Sequence, residues 1–256
     1  MNRLDLPTMP VTVPTHTVNW ESSTANKVPF RVVGQRQHGQ ALDDTALFAP
    51  LHYESGYSYP LIVWLHDAGQ ATQSLGEVMS HISVRNYVAV APRAPVGTLR
   101  GDSLATWEQT PAAIAAAHQR IVEAIALAQQ KFQVHAKRVF LVGFGAGGTM
   151  ALRIALHCPT GFAGAATIGG PLPTGNCPLR CVNAIRDLPL LLAASRRSSQ
   201  YPERELCTNL RLLHSAGATV SLRQYPGRDD LTTQMLTDLD GWMMEVIGQT
   251  SAAVVH

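Results

Sequence analysis

Cysteine is scarce in this sequence, and the spacing of the few cysteines matches neither a disulfide framework nor a metal site. The chain has four cysteines. Cys177 and Cys181 are separated by three residues, without the second pair or the nearby histidine that a zinc site needs. Reduced thiols and a cytoplasmic location are therefore expected. No motif implies a metal ion or a cofactor.

Charge of one sign and long apolar runs are scarce as well. The formal net charge is +2 and the basic residues are scattered, which is not the signature of a protein that binds nucleic acid or an anionic membrane. No apolar run approaches the length of a membrane span. Met1 to Pro14 contain charges and prolines where a secretory signal would have its apolar segment, so a cleaved signal is not expected.

Apolar residues, by contrast, are abundant enough for one sizeable core. The chain has 256 residues, of which 46% are hydrophobic, and no change in composition marks a second domain. Residues 1–26 are polar and interrupted by prolines, so they are expected to form an arm along the surface. Residues 27–256 are expected to form a single domain.

Apolar runs alternate with segments of helical periodicity along the chain. This order predicts an α/β fold, a mostly parallel sheet of about eight strands with helices on both faces. The predicted strands are 28–33, 45–51, 59–66, 87–94, 138–144, 162–170, 188–195 and 219–225. The first two are expected to form an antiparallel hairpin at one edge. The predicted helices are 71–81, 110–132, 149–157, 203–215 and 231–247.

The most informative stretch runs from Arg138 to Gly148 and reads RVFLVGFGAGG. A buried strand is followed by a glycine-rich turn that opens directly into a helix. This is the layout of the nucleophile elbow G-x-S-x-G, in which a serine is held exposed on a strained turn. Here the central residue is Gly145, which has no side chain that could attack a substrate.

Two interpretations of this turn are open. A glycine-rich turn before a helix can bind a phosphate, but the glycines here match neither the dinucleotide-binding nor the P-loop spacing. Backbone sterics favour the elbow, because other residues adopt its conformation at a cost of about 1 to 3 kcal/mol and glycine does so almost freely. Gly145 is therefore expected to keep the fold while deleting the nucleophile.

Several phrases of the sequence point to one family. They are YPLIVWLHDAGQ at 59–70, RVFLVGFGAGGTMALRIAL at 138–156, FAGAATIGGPLP at 162–173, LPLLLAAS at 188–195 and VSLRQYPG at 220–227. With the order of elements, they resemble the carboxylesterase/phospholipase branch of the α/β-hydrolase superfamily, which includes serine esterases of the feruloyl-esterase and polyhydroxyalkanoate-depolymerase type. The resemblance extends from about Val28 to the last helix. It implies an α/β-hydrolase fold and a catalytic triad.

The resemblance also implies where the triad residues should lie. The nucleophile position is Gly145. The acid of the family follows the strand matching 188–195, and counting back from Pro202 puts Ser198 at that position. The histidine usually follows the last strand in a phrase like Y-P-G-G-H, and Asp229 stands there. Since a serine hydrolase needs a nucleophile, a base and a carboxylate that orients the base, all three members are expected to be lost.

The oxyanion stretch of the family is altered too. Its H-G-x-G phrase is His66-Asp67-Ala68-Gly69 here. Backbone amides, including that of Ala146, are expected to persist. The negative charge of Asp67 would oppose the oxyanion that such amides stabilise.

Three functional hypotheses follow. The leading one is an inactive esterase-like protein whose retained pocket binds an unknown small molecule or protein partner. The second is an active ester hydrolase with relocated groups, in which His66 and Asp67 act as base and orienter. The third is a structural subunit of an assembly, and a homo-oligomer is left open. The displaced nucleophile of the second hypothesis would be Ser103, Thr149 or Ser195, and a replacement carboxylate would be Asp187 or Glu203.

Overall fold

A seven-stranded sheet organises the computed structural model, which describes residues 45–70, 72–99 and 102–253. The strands are β1 Ala46–Phe48, β2 Tyr59–Leu65, β3 Val88–Ala91, β4 Val96–Leu99, β5 Asp102–Ala105, β6 Val134–Phe144, β7 Gly164–Ile168, β8 Leu190–Ser195 and β9 Val220–Tyr225. The helices are α1 Leu75–Ile82, α2 Pro111–Lys131, α3 Ala146–His157, α4 Val182–Ile185, α5 Glu203–Ser215 and α6 Thr233–Ala253, with 3-10 turns at Thr72–Ser74 and Pro159–Gly161.

The sheet order is β1-β3-β2-β6-β7-β8-β9, and β4 and β5 form a separate two-stranded hairpin. Only the pairing of β1 with β3 is antiparallel among the described strands of the large sheet. Helices cover both faces. In one core cluster α2, α3 and α5 pack against the sheet, and in the other α1 and α6 do so. The parallel strands therefore all end on the same side of the sheet, where the segments after β2, β6, β8 and β9 begin.

The predicted elements are largely confirmed where the structure describes them. The predicted strand 28–33 and the arm 1–26 lie outside the described residues, so the hairpin expected at the sheet edge stays a prediction. Strand β6 begins at Val134, four residues before the predicted start, and α3 begins at Ala146, directly after the elbow. The β4–β5 hairpin and the short helix α4 were not predicted.

Local chemistry explains the best-defined helix boundary. Thr110 has an extended backbone, and its Oγ1 accepts a hydrogen bond of 3.2 Å from the amide of Ala113. Pro111 occupies the first helical position, where its missing N–H costs nothing. Both signals are visible in the sequence, so the start of α2 agrees with the prediction.

Two tyrosine–aspartate pairs hold α6 on the sheet. Tyr87 is completely buried and donates a 2.7 Å hydrogen bond to Oδ1 of Asp240. Tyr225, at the end of β9, donates a 2.8 Å bond to Oδ2 of Asp238. Burial raises the pKa of both tyrosines, so both hydroxyls stay protonated and keep donating.

The Tyr87–Asp240 pair makes stability depend on pH. Burial raises the pKa of Asp240, although the bond from Tyr87 opposes the rise. Between the ordinary and the raised pKa the folded state binds more protons than the unfolded state, so stability falls as the pH rises. We expect Asp240→Asn, which keeps an acceptor for Tyr87, to be more stable than the wild type at about pH 7 by less than about 1 kcal/mol. In chemical denaturation the difference should shrink towards about pH 4; an unchanged difference would contradict this account.

Candidate functional site

The turn between β6 and α3 has the strained backbone of an elbow. Gly145 is buried and has a φ of 53° and a ψ of −123°, a combination that costs a residue with a side chain about 1 to 3 kcal/mol. Gly147 allows α3 to approach β2, since an added Cβ would lie 2.2 Å from the carbonyl oxygen of Leu65. Gly145 therefore accommodates the strained backbone of the turn, and Gly147 permits the close packing of α3 on β2, as the elbow interpretation predicted.

The carboxylate of Asp67 fills the position that the side chain of residue 145 would take. A Cβ built on Gly145 would lie 2.2 Å from Oδ1 and 2.4 Å from Cγ of Asp67, well inside van der Waals contact. The same Oδ1 accepts a 2.8 Å hydrogen bond from the amide of Ala146. One carboxylate thus occupies the nucleophile's space and the first amide of α3. The phosphate-binding interpretation fails here, because a negative charge already lies at this helix N-terminus.

The rest of the Asp67 loop is tied to its surroundings by backbone bonds. The amide of Asp67 donates to Oε1 of Gln70 at 3.3 Å, and the amide of Gln70 donates back to the carbonyl of Asp67 at 3.2 Å. Gly69 has a positive φ of 73°, and its amide donates to the carbonyl of Ala105 at 2.9 Å. Ala68 is partly exposed between them. The amides of Asp67, Gly69 and Gln70 are therefore already bonded within the protein.

His66 supports the loop and is not placed to act as a base. It is fully buried, its Nδ1 lies 2.7 Å from the backbone carbonyl of Asp67, and its Nε2 lies 3.1 Å from the amide of Ala94. Since a carbonyl only accepts and an amide only donates, the ring is neutral with its proton on Nδ1. Burial lowers the pKa of His66, although its contacts with Asp67 oppose this. Both nitrogens are occupied, so the proposed base–orienter pair of His66 and Asp67 does not fit this geometry.

The structure brings Ser198 and Asp229 together. Their backbones are aligned because the amide of Arg197, just after β8, donates to the carbonyl of Gly227, just after β9, at 3.0 Å. Ser198 Oγ donates a hydrogen bond to Oδ1 of Asp229 and accepts a 2.8 Å bond from the amide of Tyr201. The two positions that the family resemblance assigns to the acid and the histidine are therefore in direct contact.

Both carboxylate oxygens of Asp229 accept hydrogen bonds from the loop that follows β8. Its Oδ2 accepts from the amide of Ser199 at 3.0 Å and from the hydroxyl of Ser199 at 2.7 Å. Burial favours a higher pKa for Asp229, but the hydrogen bonds from Ser198, Ser199 and Gln200 together lower it. The group is an ionised acceptor near neutral pH. A carboxylate whose pKa is lowered is a weaker base near neutral pH than an imidazole.

The other candidates for relocated catalytic groups lie on different elements of the fold. Thr149 Oγ1 donates to the carbonyl of Pro171 at 2.9 Å in the first turn of α3. Ser195 is buried at the end of β8. Ser103 lies in β5, in the separate two-stranded hairpin. Asp187 precedes β8, so it lies at the end of the strand opposite to Ser198. Glu203 is the first residue of α5.

The model of the phospholipase/carboxylesterase family matches residues 54–244, which is more than half of the chain. The chain belongs to this family. The match includes β2 to β9 and the segments that carry Asp67, Gly145, Ser198 and Asp229. No curated protein sequence matches the chain.

Several solved structures share the fold at low identity. SOBER1 of Arabidopsis thaliana is 18% identical, with a TM-score of 0.62 over 74% of this chain and 100% of that chain. The Bacillus cereus carboxylesterase is 14% identical, with a TM-score of 0.64 over 79% and 93%. Zea mays acyl-protein thioesterase 2 is 16% identical, with a TM-score of 0.64 over 79% and 98%. The α/β-hydrolase fold predicted from the sequence is thereby confirmed.

The sequence analysis does not predict two of the contacts among these residues. It anticipated a charge on Asp67 near the oxyanion amides, yet it did not foresee that the carboxylate itself fills the space left by Gly145. It also did not foresee the bond between Ser198 and Asp229. The comparison with the family phrases contained a signal of the first contact. Gly145 stands where the family has a side chain, and Asp67 stands where the family has a glycine.

The overlap of Asp67 with residue 145 predicts a strong energetic coupling. We expect Gly145→Ala to cost more than the strain of about 1 to 3 kcal/mol alone, because the new methyl group meets the Asp67 carboxylate. Adding Asp67→Gly should recover part of the loss. Denaturation of both single variants and the double variant measures the coupling, and simple additivity would contradict it. As a control, Gly241→Ala in α6 meets nothing within 4 Å and should be neutral or stabilising by up to about 1 kcal/mol.

The bonds to Asp229 predict a second stability effect. We expect Asp229→Ala to cost about 1 to 3 kcal/mol near neutral pH, because the hydroxyls and amides of the 198–200 loop lose their acceptor. The exposed neighbour gives a matched control, and Asp230→Ala should stay within about 0.5 kcal/mol. Since the pKa of Asp229 is lowered in the folded state, its contribution should persist down to its ordinary pKa and disappear as the pH falls through the lowered one. Denaturation across acidic pH checks this, and equal costs for the two variants would contradict it.

Proposed function

We propose that this chain is a non-catalytic member of the phospholipase/carboxylesterase family that binds a partner at its former catalytic site. The observation that carries the proposal is the Asp67 carboxylate against Gly145. The nucleophile position has no side chain, and the amide of Ala146 is already bonded to Oδ1 of Asp67 at 2.8 Å. An acyl group entering here would find neither an attacking oxygen nor that free oxyanion donor.

The second half of the triad supports the same conclusion. In place of an imidazole and its orienting carboxylate, the ends of β8 and β9 carry Ser198 bonded to Asp229. A serine–carboxylate pair has no group that titrates near neutral pH in the way an imidazole does. Losses in a catalytic unit are not additive, so three changes at positions that act as one unit leave no ester-hydrolysis mechanism.

A binding role is favoured over a purely structural one. The third hypothesis would be supported by an exposed apolar patch on the last strand or helix. Among the described residues, the exposed large hydrophobic side chains are Tyr57, Val122, Leu212 and Met244, and they lie on four different segments. Single exposed apolar residues are normal on a protein surface. The exposed apolar residues therefore do not support a structural role, and a binding role at the ends of the parallel strands is favoured.

The decisive experiment compares the wild type with two rebuilt variants. One variant carries Gly145→Ser, Ser198→Asp and Asp229→His, and the other adds Asp67→Gly. Purified proteins are treated with a fluorophosphonate probe, the modified residue is identified by mass spectrometry, and hydrolysis of short-chain p-nitrophenyl esters is measured. We expect an inert, unlabelled wild type, label at position 145 only when Asp67 is also replaced, and turnover only in that four-change variant.

The wild-type result decides the proposal even if a rebuilt variant folds poorly. Steady ester turnover by the wild type that is abolished by a substitution at Asp67, Ser198 or Asp229 would overturn it. So would stoichiometric fluorophosphonate labelling of the wild type, and the labelled residue would then identify the nucleophile. Thermal melts of all proteins separate loss of fold from loss of chemistry.

A further inference from the structure

Polar side chains of α3 hold the segment 171–181, which lies between β7 and α4, along one face of the helix. Thr149 Oγ1 donates to the carbonyl of Pro171 at 2.9 Å in the first turn. One turn later the buried Arg153 donates through Nη2 and Nη1 to the carbonyls of residues 174 and 175. Because residues four apart lie on one helix face, the segment follows that face towards the C-terminal end of α3.

A thiol makes the contact at the far end of the segment. Sγ of Cys181 donates to the carbonyl of His157 at 3.5 Å, and this carbonyl belongs to the peptide group that His157 shares with Cys158. The turn Pro159–Gly161 and α4, which follow the two cysteines, also pack against each other. A thiol is a weak donor, so this end of the segment is held less firmly than the parts bonded to Thr149 and Arg153.

The second thiol belongs to Cys158, which is half-buried at the end of α3. Its Sγ lies 3.9 Å from Nε2 of His118 on α2. Burial raises the pKa of Cys158, and the neighbouring thiol of Cys181 raises it further, although the charge of Arg180 opposes the rise. The influence of one thiol on the other agrees with the backbone contact between them. Among the residues that the structure describes, no three His, Cys, Asp or Glu side chains are placed to hold a metal ion together.

We infer that Cys158 and Cys181 form a reversible disulfide that fixes the segment 171–181 on α3 under oxidising conditions. A disulfide requires the two Cα atoms to lie within about 7 Å, and the thiol of Cys181 already touches the backbone beside Cys158. The pair is a modification site separate from the function proposed above, since neither cysteine occupies a triad position.

The oxidant is a low-molecular-weight disulfide of the glutathione type. One protein thiolate attacks it, so that a mixed disulfide forms and one glutathione thiolate leaves. The second protein thiolate attacks the protein sulfur of the mixed disulfide, which forms the internal S–S bond and releases the second glutathione thiolate. Each protein thiol proton passes to a leaving thiolate. Two protein thiols are thereby oxidised to one disulfide, while one glutathione disulfide is reduced to two thiols.

The competing partner for Cys181 is Cys177. It is exposed, and only three residues separate it from Cys181, so accessibility alone favours a link within the segment. The contact of the Cys181 thiol with the backbone beside Cys158 favours the link to α3 instead. If the half-buried thiols served packing alone, no preferred link to Cys158 would form. The identity of the linked pair therefore separates these readings.

The test equilibrates the full native chain with glutathione and glutathione disulfide at several ratios. It is run at about pH 8, where more of each thiol is ionised than at neutral pH. Free thiols are then trapped by alkylation after an acid quench, and peptide mass spectrometry identifies the linked cysteines. We expect a Cys158–Cys181 link within one chain, with a mass lower by about 2 Da than that of the reduced protein. Excess dithiothreitol should remove the link.

Serine variants and hydrogen exchange test the pair and its effect on the segment. Cys158→Ser and Cys181→Ser should each abolish the link, whereas the matched controls Cys177→Ser and Cys207→Ser should keep it. In the wild type the link should slow amide hydrogen exchange of the segment 171–181 by about tenfold, with α6 as an unchanged internal reference.

Three results would each overturn the inference. They are a dominant Cys177–Cys181 link, glutathione mixed disulfides without an internal link, and equal hydrogen exchange of the segment in the reduced and linked proteins. Thermal melts of the reduced variants show whether the serine substitutions preserve the fold. Peptide mapping of the wild type decides the identity of the pair even if one variant folds poorly.

Discussion

The contact between the Asp67 carboxylate and the start of α3 determines the character of this site. Gly145 leaves an empty volume on a strained turn, and Asp67 enters that volume from the loop after β2. The carboxylate then meets the positive end of the helix dipole and the amide of Ala146. An acidic side chain is favourable here only because no side chain projects from position 145. The two residues therefore form one structural feature, although they are far apart in sequence.

Other polar side chains around the site are also hydrogen-bonded to groups of the protein itself. His66 uses both ring nitrogens to hold neighbouring backbone groups, and Asp229 uses both carboxylate oxygens on the loop after β8. In an active centre such groups keep hydrogen-bonding capacity for the reaction, and that reserve costs stability because buried polar groups are incompletely paired. Here the hydrogen bonds of both residues stabilise the loops around the site.

The sheet could be predicted because its signal is local, whereas the site contacts could not. Strands β2 and β8 are buried along their whole length and are almost entirely apolar, as burial on both faces of a parallel sheet demands. The β4–β5 hairpin was missed because each strand has four residues and carries no such run. The assignment of Gly145, Ser198 and Asp229 to the triad positions rests on the family resemblance of the phrases that follow the strands. The contacts of Asp67 with Gly145 and of Ser198 with Asp229 join distant segments, so spacing alone could not show them.

Because Gly145 and Asp67 fit each other, the substitutions that either position tolerates depend on the other. A serine introduced at position 145 would meet the Asp67 carboxylate, and a glycine introduced at position 67 would leave a cavity and an uncapped helix. Each of these single substitutions is therefore expected to lower the stability of the fold. The Ser198–Asp229 pair imposes the same condition on its own two positions, since each residue satisfies the other. The reciprocal contacts therefore couple the two positions of each pair, because a sequence that changes only one member of a pair is penalised by the fold itself.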